Sequence, residues 1–101
     1  MIDMEKVRRE SMRWILLNAL NHARPAGTYE SVLLPTLQTM YPDATALEIR
    51  RHLDYLSDRA LVKVHKEPHG PWRALLTRHG IDIVEYTIDC EPGIARPEKY
   101  W

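Results

Sequence analysis

The sequence predicts an α+β domain, mainly helical, on three observations. Three amphipathic helical stretches follow one another, a strand–turn–strand segment with a Pro/Gly tip comes directly after them, and 101 residues suit a single core. Hydrophobic residues at 45% and charged residues at 28% are a globular balance that excludes a wholly disordered chain.

The first helix is expected from Asp3 to about Ala23. Met12, Ile15, Leu16, Ala19, Leu20 and Ala23 recur at three- and four-residue steps, with Trp14 and Leu17 off this stripe. Asp3 caps the start, and Arg24-Pro25-Ala26-Gly27 stops the helix and turns the chain. Its outward residues Lys6, Arg8, Arg9, Glu10 and Arg13 make the first half mostly basic. Thr28-Tyr29 fits a short extended stretch.

A second helix runs from about Glu30 to Met40 on Val32, Leu33, Leu37 and Met40. Pro35 implies either a kink or a start nearer Leu34, since an interior proline removes a hydrogen bond.

The third helix has the clearest start. Thr45-Ala46-Leu47-Glu48 reads as a capping box in which hydroxyl and carboxylate each satisfy an orphan amide. Ile49, Leu53, Leu56 and Ala60 form the inner stripe, and the end is expected near Arg59. Leu47, Arg51, Asp54 and Asp58 point the other way, flanked by Arg50 and Tyr55. His52, at the edge of the stripe, reads as a partly buried structural histidine.

Leu61–Lys66 and Trp72–Leu76 read as strands joined by Pro68-His69-Gly70-Pro71. Trp72, beside the turn, reads as a packing residue of the hairpin, with a surface contact as the alternative. Thr77 then caps a short fourth helix over Arg78–Glu85, with a strand as the alternative because Ile81, Ile83, Tyr86 and Ile88 also alternate. Two prolines and a glycine make 89–101 an irregular tail, so the domain is expected over 1–88.

Three helices followed by a two-stranded hairpin, with a short fourth helix, is the order of a winged helix-turn-helix. In that arrangement the outer face of the third helix enters a major groove and the hairpin, or wing, meets phosphates. The stretch from Thr45 to Leu56, with Arg59-Ala60-Leu61-Val62, resembles the recognition helix and first wing strand of MarR- and PadR-type regulators. Leu76-Thr77-Arg78-His79-Gly80 resembles the Leu-Thr-x-x-Gly that closes their second wing strand. Ala60 stands where those proteins usually have glycine, which implies a less tight helix exit. The layout as a whole, including Asp89–Pro97, is similar to small proteins of Mu-like phages and prophages.

The resemblance implies a regulator that binds double-stranded DNA. Thr45, Leu47, Arg50, Arg51, Asp54 and Tyr55 would lie on the groove face, and Lys63, Lys66 and Arg73 on the backbone. Many such regulators act as two-fold dimers. This chain has no long extra helix for a dimer, but Trp14, Leu17, Tyr100 and Trp101 offer apolar surface. That surface either builds a homodimer or, as the tail's prolines favour, folds back on the chain's own core, so 89–101 is expected to pack and not to be a free linker. The alternative function is a winged helix that binds protein.

Charge is consistent with either reading. Fourteen basic residues balance fourteen acidic ones, yet residues 1–78 carry twelve bases against nine acids and 79–101 two against five. No apolar run approaches a membrane span, and acids at Asp3, Glu5 and Glu10 do not fit a secretory leader. The single Cys90 allows no internal disulfide, so a cytoplasmic, reducing setting is expected. His65-x-x-x-His69, His79 and Cys90 span a strand and a turn, which prepares no zinc site, and neither metal nor other cofactor is expected. No phosphate loop, HExxH or nucleophile elbow is present, and Cys90 sits between acids that oppose thiolate formation, so neither an enzyme nor a small-molecule ligand is expected.

Overall fold

Asp3 starts the first helix as expected, its carboxylate accepting from the Glu5 and Lys6 amides that open α1 (Met4–His22). The computed structural model describes residues 1–101. After α1 come β1 (Thr28–Tyr29), α2 (Glu30–Gln38), α3 (Ala46–Asp58), β2 (Val62–His65), β3 (Arg73–Leu76) and α4 (Arg78–Val84). The inner stripes of α1, α2 and α3 meet in one core that includes Leu16, Leu20, Leu33, Leu37, Ile49, Leu53 and Leu56. The sheet covers one side of this core through Val62, Ala74 and Leu76. The architecture is a winged helix-turn-helix.

Four local expectations are corrected. First, the sheet has three antiparallel strands, not two, in the order β1-β3-β2. Thr28 pairs with Ala74 and Tyr29 with Arg73, while Val62 to His65 pair with Leu76 to Arg73. Two residues are too few to show alternation, and their partner lies far along the chain. Gly27 makes the approach possible: at φ 76°, a Cβ there would stand 2.2 Å from the Ala74 carbonyl oxygen.

Second, Leu17 is wholly buried, not an off-stripe surface residue. α1 is surrounded by α2, α3, α4 and β3, so its apolar arc is wider than a single helical stripe. Trp14 is half-buried, its ring meeting Tyr86 edge-on at 6.2 Å.

Third, only half of the capping box forms. Thr45 Oγ1 accepts the Glu48 amide at 3.2 Å, but the Glu48 carboxylate is held by Arg8 of α1. A charged fork is a stronger partner than a backbone amide.

Fourth, the exit of α3 is tight despite its alanine. Ala60 adopts φ 63°. The Leu61 amide bonds the Leu56 carbonyl and the Ala60 amide bonds the Ser57 carbonyl, a Schellman closure.

α2 begins at Glu30 with Pro35 inside it. Pro35 and Ser31 are exposed, so water reaches the carbonyl that proline leaves without a donor. Of the two readings for residues 78–85 the helix is found. Thr77 Oγ1 accepts the Gly80 amide and donates to the Ala60 carbonyl, while the Thr77 amide bonds the Leu61 carbonyl. A Cβ at Gly80 would lie 2.1 Å from Leu61 O, which explains the threonine and the glycine in this segment.

The 89–101 segment has neither helix nor strand but lies on the domain. Ile94 is buried, Ala95 N–H bonds Glu10 O, and Arg96 donates to the carbonyls of Ile83 and Ile88 at 2.9 Å each. No helix is long and apolar enough to cross a membrane.

Candidate nucleic-acid interface

The outer face of α3 presents Thr45, Leu47 and Arg51 to solvent. Thr45 is its N-cap and Leu47 and Arg51 lie in its first two turns, the part of a recognition helix that meets bases. Leu47 is 59% exposed and stands apart from the core cluster. Arg51 has no hydrogen-bond or ion-pair partner within the chain.

Arg50, next to it, is differently placed. Its Nε donates to Glu30 Oε2 at 2.7 Å and its Nη2 to Glu30 Oε1 at 2.5 Å. The Glu30 side chain is only 7% exposed, and it also accepts the Trp72 amide at 3.0 Å. The Arg50 fork pulls the Glu30 carboxyl below its ordinary range against the opposing effect of burial, and Glu30 in turn raises Arg50. The Arg50 guanidinium also lies 4.7 Å from the centre of the Trp72 ring. One arginine thereby joins α3, the start of α2 and the turn end of the wing.

A second clasp acts on the other wing strand. Lys66 Nζ lies 2.9 Å from Asp54 Oδ1 and 4.6 Å from the Trp72 ring centre. Asp54, an acid on the expected groove face, therefore meets a cation of its own chain. Arg73 donates to Ala26 O in the loop before β1. Lys63 is exposed on β2 and has no partner.

Tyr55 faces the flank of α3 away from the wing. Arg13 lies 3.5 Å and Arg59 4.5 Å from its ring centre. Arg13 also donates to Gly93 O, and Arg59 pairs with Glu91 at 3.0 Å. Tyr55 thus joins α1 to the tail.

The nine expected residues accordingly fall into three groups. Leu47, Arg51 and Lys63 stand clear together with Thr45, which is exposed but caps α3 through its hydroxyl, and Arg50, Asp54, Lys66 and Arg73 are tied within the chain. Tyr55 is packed on the flank. The signal for Arg50 was its position beside the groove face, and nothing local in the sequence could reveal its partner twenty residues away.

On the Tyr55 flank a cleft between α1 and α3 gathers residues that sequence reasoning had not grouped: Arg9, Arg13, Glu48, Arg51, His52 and Tyr55. The basic first half of α1 was the only signal for Arg9 and Arg13, and nothing in the sequence placed them beside Arg51 and Tyr55. His52 is buried, and burial together with nearby Arg13 lowers its imidazole to about 4.

A comparison with protein-family models finds no match, and neither does one with curated proteins. Among solved structures, the chain is similar to a crystal structure from Ralstonia eutropha JMP134, of a protein provisionally described as DNA-binding. The TM-score is 0.60 over 88% of this chain and 100% of the other, at 20% identity. At that identity the likeness is one of fold.

Proposed function

We propose that the chain binds duplex DNA, with α3 in the major groove and the β2–β3 wing on the phosphate backbone. The observation that carries this reading is the division of labour between two adjacent arginines. Arg50 is fixed to Glu30, while Arg51 projects free beside Leu47 on the same helix. An unpaired arginine suits the N7 and O6 of guanine, and an exposed apolar side chain suits a thymine methyl. Neither exposure stabilises the fold. The fold likeness to a protein described as DNA-binding supports the reading.

Within this proposal Thr45, Leu47 and Arg51 meet the groove, and Lys63 and Lys66 meet phosphates. Arg50 holds the wing at its angle to α3, and Asp54 positions Lys66. A role in transcription regulation, in a cytoplasmic and phage or prophage setting, is the finer form suggested by resemblance to MarR- and PadR-type regulators and Mu-like phage proteins. A second reading, a protein-binding winged helix, is favoured by exposed Asp58 on α3 and by a formal net charge of +0.

Selection of duplexes from a random pool at two salt concentrations separates them. Phosphate-driven binding falls with salt at a slope of about −0.9 per neutralised phosphate. Arg51→Ala is expected to flatten sequence preference. Lys63→Ala should weaken all sequences alike and reduce the slope by about one. Paired half-sites about 10 base pairs apart would identify a homodimer on the DNA. Absence of salt-sensitive duplex binding would overturn the proposal in favour of the protein-binding reading.

A further inference from the structure

The cleft between α1 and α3 holds more positive charge than the fold uses, since of its arginines only Arg13 has a structural bond, to Gly93 O. Three guanidinium groups, Arg9, Arg13 and Arg51, line about 330 Å³ together with one carboxylate, Glu48. That carboxylate is already matched: Arg8 donates to it through Nε at 2.9 Å and Nη2 at 3.0 Å. Arg9 and Arg51 take no part in the ion pairs of the chain, which join Arg8, Arg50, Arg59 and Lys66 to acids.

The walls of the cleft hold unused polar groups as well. Arg13 Nε and His52 Nε2 are buried without a hydrogen-bond partner. Unpaired buried polar atoms are costly, and like charges gathered without a counter-charge repel. A group that supplies negative charge and several acceptor oxygens would relieve the repulsion.

We propose that this cleft is an oxyanion site that takes a phosphate group, held by Arg9 and Arg51 at its mouth with Arg13 behind them. A carboxylate offers one charge and two oxygens. A phosphate monoester carries about −1.5 to −2 and three acceptor oxygens, a better match for several planar forks. A backbone phosphodiester offers the same phosphoryl oxygens with one charge. The ligand is therefore either a free phosphomonoester or a phosphate of a duplex lying against the side of α3 opposite the wing. The site does not depend on the DNA reading, because a free phosphate satisfies the same groups. An Arg51 engaged by phosphate is withdrawn from a base edge, so Arg9, which has no part in the groove, is the residue that separates the two readings.

His52 supplies a built-in reporter. Arg8, Arg9 and Arg13 from α1 disfavour its protonation, and Glu48 from α3 favours it. A phosphate bound beside them adds negative charge, so the His52 titration must move upward when the cleft fills.

The test is an NMR titration of the His52 ring in the full chain with inorganic phosphate, ionic strength held constant by replacing chloride. The expected result is a saturable shift and an upward-moved His52 titration, with phosphate affinity reduced about tenfold or more by Arg9→Ala and by Arg51→Ala. Both side chains are exposed, so the variants should fold, and an unchanged amide spectrum away from the cleft checks this. A short duplex is then added to the phosphate-loaded protein. Displacement of phosphate, with duplex binding weakened by Arg9→Ala, assigns the site to backbone phosphate. Phosphate binding that persists with no duplex competition assigns it to a free phosphomonoester, and would stand even if the chain bound no DNA. A linear response indistinguishable from chloride, or variants that bind phosphate like the parent, would overturn the site.

Discussion

Arg50 clasps Glu30 across twenty residues of sequence with two hydrogen bonds, and Glu30 passes the restraint to the wing by accepting the Trp72 amide. The packing of the wing against α3 is thereby tied to a nearly buried carboxylate. Glu30→Gln is expected to lower unfolding stability by about 1–3 kcal/mol, since the amide keeps the shape but loses the charge-assisted pair. Denaturant unfolding measures it. Because its folded pKa is lowered, the contribution of Glu30 is present above its ordinary value of 4.5 and is lost as pH falls through the folded value.

His52 gives a second acid response with a different window. Its titration falls from the ordinary 6.5 to about 4 in the folded chain. Between those values the unfolded chain takes up a proton that the folded chain refuses, so stability must fall as pH falls across the window. The limiting slope is about 1.4 kcal/mol per pH unit. Urea midpoints from pH 7 to pH 4 should show it, and His52→Gln should flatten that slope while leaving the loss at lower pH from Glu30, Glu48 and Asp43.

Ala60 bears a left-handed backbone at φ 63° at an exposed position. Ala60→Gly should raise stability by roughly 0.5–1 kcal/mol, the relief of the left-handed conformation exceeding the added freedom of the unfolded chain. Ala60→Val should instead destabilise, because a β-branched residue tolerates this region poorly. Thermal melts of the pair that moved in the same direction would contradict the argument.

Ile94 ties the tail to the domain. Its side chain is 7% exposed and belongs to the core cluster. Ile94→Ala is expected to cost on the order of 2–5 kcal/mol. If the tail were a passive appendage, the substitution would leave the melt unchanged and amide resonances of 89–97 would lie at random-coil positions.

What the sequence by itself determined is mostly local. The stripe of Ile49, Leu53 and Leu56, the Thr45 cap, the Pro/Gly tip between two strands and the Thr77 cap of α4 all depend on neighbours within a few residues. Helix order, the β2–β3 hairpin and the exposed face of α3 followed from them. The tertiary structure decided whatever depended on a partner far along the chain. Thr28-Tyr29 became a strand only because Arg73 and Ala74 lie beside it. Glu48 left its expected capping bond for Arg8, forty residues away, and Arg50, expected beside a groove face, is bound to Glu30. The cleft of Arg9, Arg13, Arg51 and His52 exists only where α1 crosses α3. Periodicity reports which face of an element is apolar. It carries no record of which charged side chains meet across two faces, because those contacts are set by how the elements pack.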